Sequence, residues 1–282
     1  MRQRRTKREI NILKESIISM LKEDAPMTCR QIYYRLVSAG LIDKTENEYK
    51  NTTCRLLAKM RRNGEIPYGW IADNTRWIRK PASYSNLEEM LTITADCYRK
   101  SLWMDTGVNV EIWLEKDALS GVLYDVTAEW DVPLMVTRGY PSLSFLHEAG
   151  QGLERCGKPA YIYYFGDYDP SGVDIPRVTE RELRKFAPNT EINFEVIAVT
   201  GEEQIKELNL ITRPTKKSDM RSNKFIGESV EVDAIPSKIL RKMADQVISN
   251  HISNDEIFRI RDIEELERET LMQLAPYISG ND

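Results

Sequence analysis

Asp167 and Asp169 sit two residues apart in the stretch Tyr161–Gly172, YIYYFGDYDPSG. An aromatic, β-forming run ends abruptly in these two acids, and Pro170 and Gly172 then turn the chain. A strand ending in acids puts carboxylates at the carboxyl edge of a sheet, where open α/β sheets bind ligands. Two such carboxylates repel each other unless a cation lies between them. Their hard oxygens favour Mg²⁺ or Ca²⁺ over zinc. Glu115, in WLEKDAL, closes an earlier apolar run in the same way. Neighbouring strands of a parallel sheet share one carboxyl edge, so Glu115, Asp167 and Asp169 are expected to converge on one metal. An Asp-rich β-turn with no ligand is the competing account.

Tyr33 and Tyr34 fall on different faces of one helix. At 3.6 residues per turn, Cys29, Ile32, Tyr33, Leu36 and Val37 form one apolar stripe. Tyr33 falls within it and is assigned to the core. Tyr34 falls off it, with Arg30 one turn earlier on the same side. An exposed tyrosine beside an arginine suits nucleophilic attack, because the cation favours the phenolate and can hold a phosphate.

These residues need elements to hold them. Arg2–Arg8 is a basic arm, and Ile10–Leu21 has helical spacing that Pro26 ends. Thr28 with Gln31 reads as a capping box opening a second helix, which Gly40 closes. A third, basic helix runs from about Glu46 to Asn63, and Ile66–Trp77 reads as a two-stranded wing. Three helices and a wing describe a winged helix-turn-helix over residues 1–82, against the alternative of a helical bundle with incidental charge. Ser83–Leu102 is a linking helix, within a linker drawn at 83–105. Four β-α units follow within 106–212: strands Val108–Leu114, Val132–Val136, Ala160–Phe165 and Phe194–Val199, alternating with helices Asp117–Trp130, Ser142–Cys156, Val173–Phe186 and Glu202–Leu208. That alternation implies an α/β fold with a parallel sheet covered on both faces. Residues 213–282 form a polar, basic, mobile loop at Arg213–Lys224 and then two helices, Ile239–Ile248 and Glu256–Ile278. Glu231 and Asp233, in VEVDAIPSK, are read as a helix cap before Pro236, with a supporting metal role as the alternative.

Charge divides the chain the same way. The net charge is −4, yet residues 1–80 hold 18 Lys and Arg against 9 Asp and Glu, a net +9, leaving −13 for the rest. A basic module that faces duplex DNA, joined to an acidic one, accounts for the split. The 282 residues, 41% hydrophobic and 9% aromatic, suit a globular protein of more than one domain. No apolar run approaches the roughly 20 residues that span a bilayer, and no signal-peptide pattern opens the chain. Cys29, Cys54, Cys97 and Cys156 form no C-x-x-C pair, and with only His147 and His251 beside them a zinc site is not expected. They are read as reduced core thiols of a cytoplasmic protein.

An acid-ended strand, then Gly139-Tyr140-Pro141-Ser142, then Asp-Tyr-Asp-Pro-Ser-Gly, resembles a Toprim domain. Neither a Rossmann nor a P-loop glycine motif stands at a strand end. With the Glu-Lys-Asp of residues 115–117, these motifs resemble the A subunit of DNA topoisomerase VI and its relative, the meiotic double-strand-break transesterase. In that family a winged-helix domain precedes the Toprim domain, and the attacking tyrosine lies in R-x-x-[YF]-Y, which Arg30–Tyr34 fits. The resemblance covers about residues 25–200. It implies that Tyr34 attacks a backbone phosphate and links to the 5′ end, with Arg30 assisting and Glu115, Asp167 and Asp169 holding Mg²⁺. It implies a homodimer, each tyrosine working with the partner's acids, and a separate ATPase B subunit for strand passage. The chain is shorter than a typical A subunit and has no ATP-binding motif. Two further readings stand beside it: a Toprim endonuclease that activates water, and a non-catalytic winged-helix DNA-binding regulator.

Overall fold

The computed structural model describes residues 5–72, 81–214, 225 and 227–279. The N-terminal unit is helical. Helix α1 (Lys7–Asp24) opens with a capping box between Thr6 and Glu9. Helix α2 (Cys29–Ser38) opens with the expected box between Thr28 and Gln31. The third helix is not uniform. A π-helical segment, Glu48–Cys54, leads into α3 (Arg55–Arg62). Leu13, Ile17 and Leu21 of α1 pack with Ile32, Leu36, Leu57 and Met60 in one buried cluster. Arg55, Lys59 and Arg62 are exposed, and their spacing puts them on one face of α3. The first half of the expected wing is a 3₁₀ turn, Tyr68–Trp70, and a single parallel bridge from Ile71 to Met27. Residues 73–77, the rest of it, lie outside the described residues.

The linking helix is shorter than expected, α4 (Leu87–Cys97). The α/β region then follows the expected alternation: β1 (Asn109–Leu114), α5 (Ser120–Glu129), β2 (Leu134–Val136), α6 (Leu143–Cys156), β3 (Ala160–Phe165), α7 (Pro170–Phe186), β4 (Ile192–Ala198) and α8 (Glu202–Glu207). Helices α9 (Ser237–Ser249) and α10 (Asn254–Ser279) complete the chain. The four strands are parallel in the order β2-β1-β3-β4.

Alternation along each strand builds two cores. Val110, Ile112, Leu114, Tyr163 and Phe165 face one side, where Val122 and Leu123 of α5 and Leu240, Ala244 and Ile248 of α9 cover them. Trp113, Ile162 and Tyr164 face the other, under Leu146 and Leu153 of α6 and Ile175 and Leu183 of α7. None of the four cysteines is a core residue: Cys29 and Cys54 are half-buried, and Cys97 and Cys156 are exposed.

The C-terminal segment ties the units together. Lys100 pairs with Glu267, and the Arg268 guanidinium donates to the Tyr98 carbonyl at 3.0 Å, so α10 lies along α4. Arg241 of α9 pairs with Asp24 at 2.6 Å. Lys44 Nζ donates to the Thr212 carbonyl at 2.6 Å. Of the loop expected at Arg213–Lys224, residues 215–224 lie outside the described residues. Among the described residues no helix is long and apolar enough to cross a membrane.

Candidate functional site at the carboxyl edge of the sheet

The strand order runs outward from β1 to β2 and then back past β1 to β3 and β4. The reversal lies between β1 and β3. The carboxyl edge at such a reversal is the usual ligand position in open α/β sheets. Leu114 and Phe165 are in register at that point. Glu115 and the Gly166-Asp167 turn are therefore side by side.

Local sterics fix the turn. A Cβ on Gly166 would sit 2.5 Å from the Tyr164 ring and 2.7 Å from Glu115 Oε2. With no Cβ there, the Asp167 amide donates to Glu115 Oε2 at 3.0 Å. A Cβ on Gly172 would sit 2.0 Å from the Asp167 carbonyl oxygen, so the first turn of α7 passes against the edge only because residue 172 is glycine. Asp169 caps α7, its Oδ1 accepting the amides of Ser171 and Gly172 at 2.9 and 2.8 Å. One oxygen of Asp169 thus does what the Asp-rich-turn account requires of it.

Asp167 is committed to other partners. Its Oδ1 accepts the Val232 amide at 2.9 Å, and its Oδ2 pairs with Lys116 Nζ at 3.1 Å. The same ammonium lies 3.0 Å from Asp233 Oδ2 and 3.3 Å from Glu231 Oε2. A two-way backbone exchange between Tyr168 and Val230, at 2.8 and 2.9 Å, presses the VEVD segment onto the edge. Glu231 and Asp233 are 7% and 3% exposed. They do not cap α9, whose preceding residue is Pro236 with no side-chain cap. They are a buried ion-pair group, and the helix-cap reading is corrected. Lys116 and Arg213 were overlooked, and with them the ion pairing of Glu231 and Asp233. The available signal was a second acid-x-acid pattern flanked by valines, whose alternation puts both acids on one side.

Tyr34 meets the same group from the N-terminal unit. Its hydroxyl faces the charged Glu231 carboxylate. Arg213 Nη2 pairs with Glu231 at 2.5 Å, and Arg30 Nε lies 3.8 Å from it. The expected exposure of Tyr34 does not hold: the residue is 4% exposed, close to the 3% of Tyr33. The 3₁₀ turn Val232–Ala234 packs on the face of α2 that its own periodicity leaves polar, so α2 is covered from two sides. The phenolate is not favoured either. Burial, and then the Glu231 charge, push the Tyr34 hydroxyl well above the usual phenol range, outweighing Arg213 and Arg30. Arg30 lies 4.1 Å over the Tyr49 ring and pairs with Glu46 at 3.6 Å. Tyr33 is core as expected, its hydroxyl donating to the Thr45 carbonyl at 3.2 Å.

The charges at the edge are unbalanced in an informative way. Burial, and then the neighbouring Asp167 carboxylate, push the Glu115 carboxyl up to about 7. Burial also raises Asp167 despite Lys116. Burial opposes ionisation of Glu231, but Lys116, Arg213 and Arg30 outweigh it and hold that carboxyl below the usual range. Among the described residues no three acids, histidines or cysteines surround a single point. The expected three-carboxylate cage is therefore not assembled, because Lys116 and Val232 take both oxygens of Asp167. Glu115 Oε1 and Asp169 Oδ2 accept no hydrogen bond among the described residues. Glu115 and Asp169 are the two acids at this edge that could hold a hydrated magnesium ion. The elevated Glu115 carboxyl is the group a cation there would ionise. In comparison with known proteins, no family model matches this chain and no curated protein is similar to it in sequence.

Proposed function

We propose that the chain is a DNA-binding protein that cleaves duplex DNA in a magnesium-dependent tyrosine transesterification, as a short relative of the type IIB topoisomerase A subunit. One observation carries this reading: Tyr34 of the basic unit and Asp167 of the sheet edge belong to one connected group, joined through Glu231 and Lys116. What supports the reading is that Tyr34 faces Glu231, whose ion-pair partner Lys116 also pairs with Asp167 at the edge where the strand order reverses. The basic face of α3 and the N-terminal arm supply contacts to the DNA backbone. In this reading the N-terminal unit is a winged-helix module and the α/β region a Toprim domain.

For attack, Tyr34 must leave Glu231. Its oxygen then bonds to phosphorus while the bond to the 3′ oxygen breaks. The phenolic proton goes to solvent, and the departing 3′ oxygen takes one up. Arg30 and Arg213 are positioned to move from Glu231 to the incoming phosphate. When bound by Glu115 and Asp169, magnesium supplies positive charge to the phosphate and the leaving oxygen. The Tyr34 contact lies within one chain. The homodimer of the resemblance would instead pair Tyr34 with the partner's acids, and an ATPase B subunit would be needed for strand passage.

Burial of Tyr34 favours a second reading, a hydrolytic endonuclease in which water attacks and Tyr34 only packs. Denaturing a magnesium-containing cleavage reaction separates the two. Transesterification leaves protein on DNA 5′ ends, and Tyr34→Phe removes both adduct and breaks. Breaks that survive Tyr34→Phe with free 5′ phosphates establish hydrolysis. DNA binding with no breaks under any metal leaves only the DNA-binding regulator.

A further inference from the structure

One buried polar group beside the sheet edge has no partner in the fold. Tyr164 is 0% exposed, on the face of β3 that α6 and α7 cover. Its hydroxyl oxygen makes no hydrogen bond among the described residues. Buried hydroxyls ordinarily find a partner, because one left bare forfeits its bonds to water. The Thr137 side chain faces the oxygen but not in bonding geometry, and the Thr137 hydroxyl donates to the Leu114 carbonyl at 3.3 Å. The Tyr164 ring leans along its strand toward the carboxyl edge. Residues 164 and 166 share one face, and a Cβ at residue 166 would lie 2.5 Å from Tyr164 Cε1 and 3.3 Å from its Cζ. The hydroxyl-bearing end of the ring therefore takes the space that Gly166 leaves free. The same point lies 2.7 Å from Glu115 Oε2, so ring and carboxylate crowd one small volume. Glu115, and then Asp167, are the charges that the phenol faces.

We propose that Tyr164 is a positioning residue of the metal edge, its phenolic proton reserved for a water in the hydration shell of the cation held by Glu115 and Asp169. The assignment rests on the magnesium reading of this edge. A phenol is a neutral donor at neutral pH. Unlike Lys116, it brings a hydrogen bond to the edge without a charge that would displace a cation. Magnesium keeps several of its waters, and a water between the ion and the phenol supplies the acceptor that Tyr164 lacks. Outer contacts of this kind orient what the metal binds and strengthen its hold. The competing account is a buried water that bridges Tyr164 to the protein whether or not a cation is bound. The two differ in what loss of the oxygen does.

The test uses the full chain and Mn²⁺ as the probe. Electron paramagnetic resonance counts the free ion, and water proton relaxation reads the hydration of the bound one. Wild type should bind Mn²⁺, and Glu115→Gln should lose it. Tyr164→Phe keeps the ring and removes only the oxygen. It should weaken Mn²⁺ binding about tenfold and change the relaxation enhancement per bound ion. The thermal midpoint of the metal-free protein should stay the same or rise, since a bare buried hydroxyl is gone. Tyr163→Phe removes a hydroxyl on the other face of β3, one that meets His251 Nε2 at 2.6 Å, and should bind Mn²⁺ as wild type does. Wild-type affinity and relaxation in Tyr164→Phe overturn the Tyr164 assignment alone and leave the metal edge standing. A lowered metal-free midpoint with unchanged affinity establishes the bridging water instead, and an equal loss of affinity in Tyr163→Phe also overturns the assignment. Failure of wild type to bind Mn²⁺ at all overturns the metal edge and Tyr164 together.

Discussion

Replacing Lys116 with methionine keeps the length of the side chain and deletes the one charge that Asp167, Glu231 and Asp233 share. The three carboxylates would not suffer equally. Glu231 keeps Arg213 at 2.5 Å and Arg30 at 3.8 Å. Asp167 keeps the Val232 amide. Among the described residues Asp233 has Lys116 as its sole partner, and its Oδ1 is already buried without a hydrogen bond. Lys116→Met therefore strands one carboxylate that is 3% exposed. Removing one member of such a buried pair costs about 3–5 kcal/mol. Adding Asp233→Asn should return about 2 kcal/mol of that loss. The pH dependence follows from the signs. In wild type, burial disfavours the Lys116 charge, but Asp233, Asp167 and Glu231 outweigh it and raise its pKa. Its contribution is thus fully present below the unfolded lysine value of about 10.4 and lost as pH climbs toward the folded one. Glu231, held low, contributes above about pH 4.3 and loses that as pH falls through its folded value. Urea unfolding of the four proteins of the cycle measures all of this. A deficit below about 1 kcal/mol at pH 7, or one that Asp233→Asn leaves untouched, would refute the argument that Asp233 depends on Lys116.

Two further outcomes follow from the same geometry. Arg55→Gln, Lys59→Gln and Arg62→Gln together should weaken duplex binding and flatten the plot of log affinity against log salt by about 2.7 units, if each residue meets one phosphate; an unchanged slope in a filter-binding series would remove α3 from the DNA surface. Gly172→Ala should cost about 3 kcal/mol or more, since the obstacle to its Cβ is backbone. By contrast Gly152→Ala, in open space within α6, should be neutral or stabilising by up to about 1 kcal/mol, and thermal melts that rank the two alike would contradict the clash.

Much of this fold was legible because its signals are local. The run Ala160–Phe165 is β3 to the residue, and the capping box at Thr28 opens α2 where expected. The site was legible only along each strand. Glu115 and Asp167 end adjacent parallel strands, and a shared edge follows from that alone. What reaches the edge from elsewhere could not be read. The face of α2 bearing Tyr34 looks exposed on helical periodicity, yet a turn some 200 residues later in the chain covers it. Lys116 carries no local pattern that announces its three carboxylate partners. The π-helical register of Glu48–Cys54 was equally hidden, since a 3.6-residue period was assumed across it.

The Tyr168–Val230 bridge has a consequence for how the protein is made. Closing it brings together residues about 60 positions apart, and loop closure of that length must be offset before the contacts it permits can form. On the ribosome, α1, α2 and α3 emerge first and can pack from local contacts. Tyr34, Arg30 and Lys116 are then synthesised long before Glu231, so their common partner is the last to arrive. Until VEVD docks, the tyrosine face of α2 stays open to solvent and Lys116 has Asp167 alone. Docking of that segment is thus the event that converts an independently packed basic unit and a bare sheet edge into one connected site.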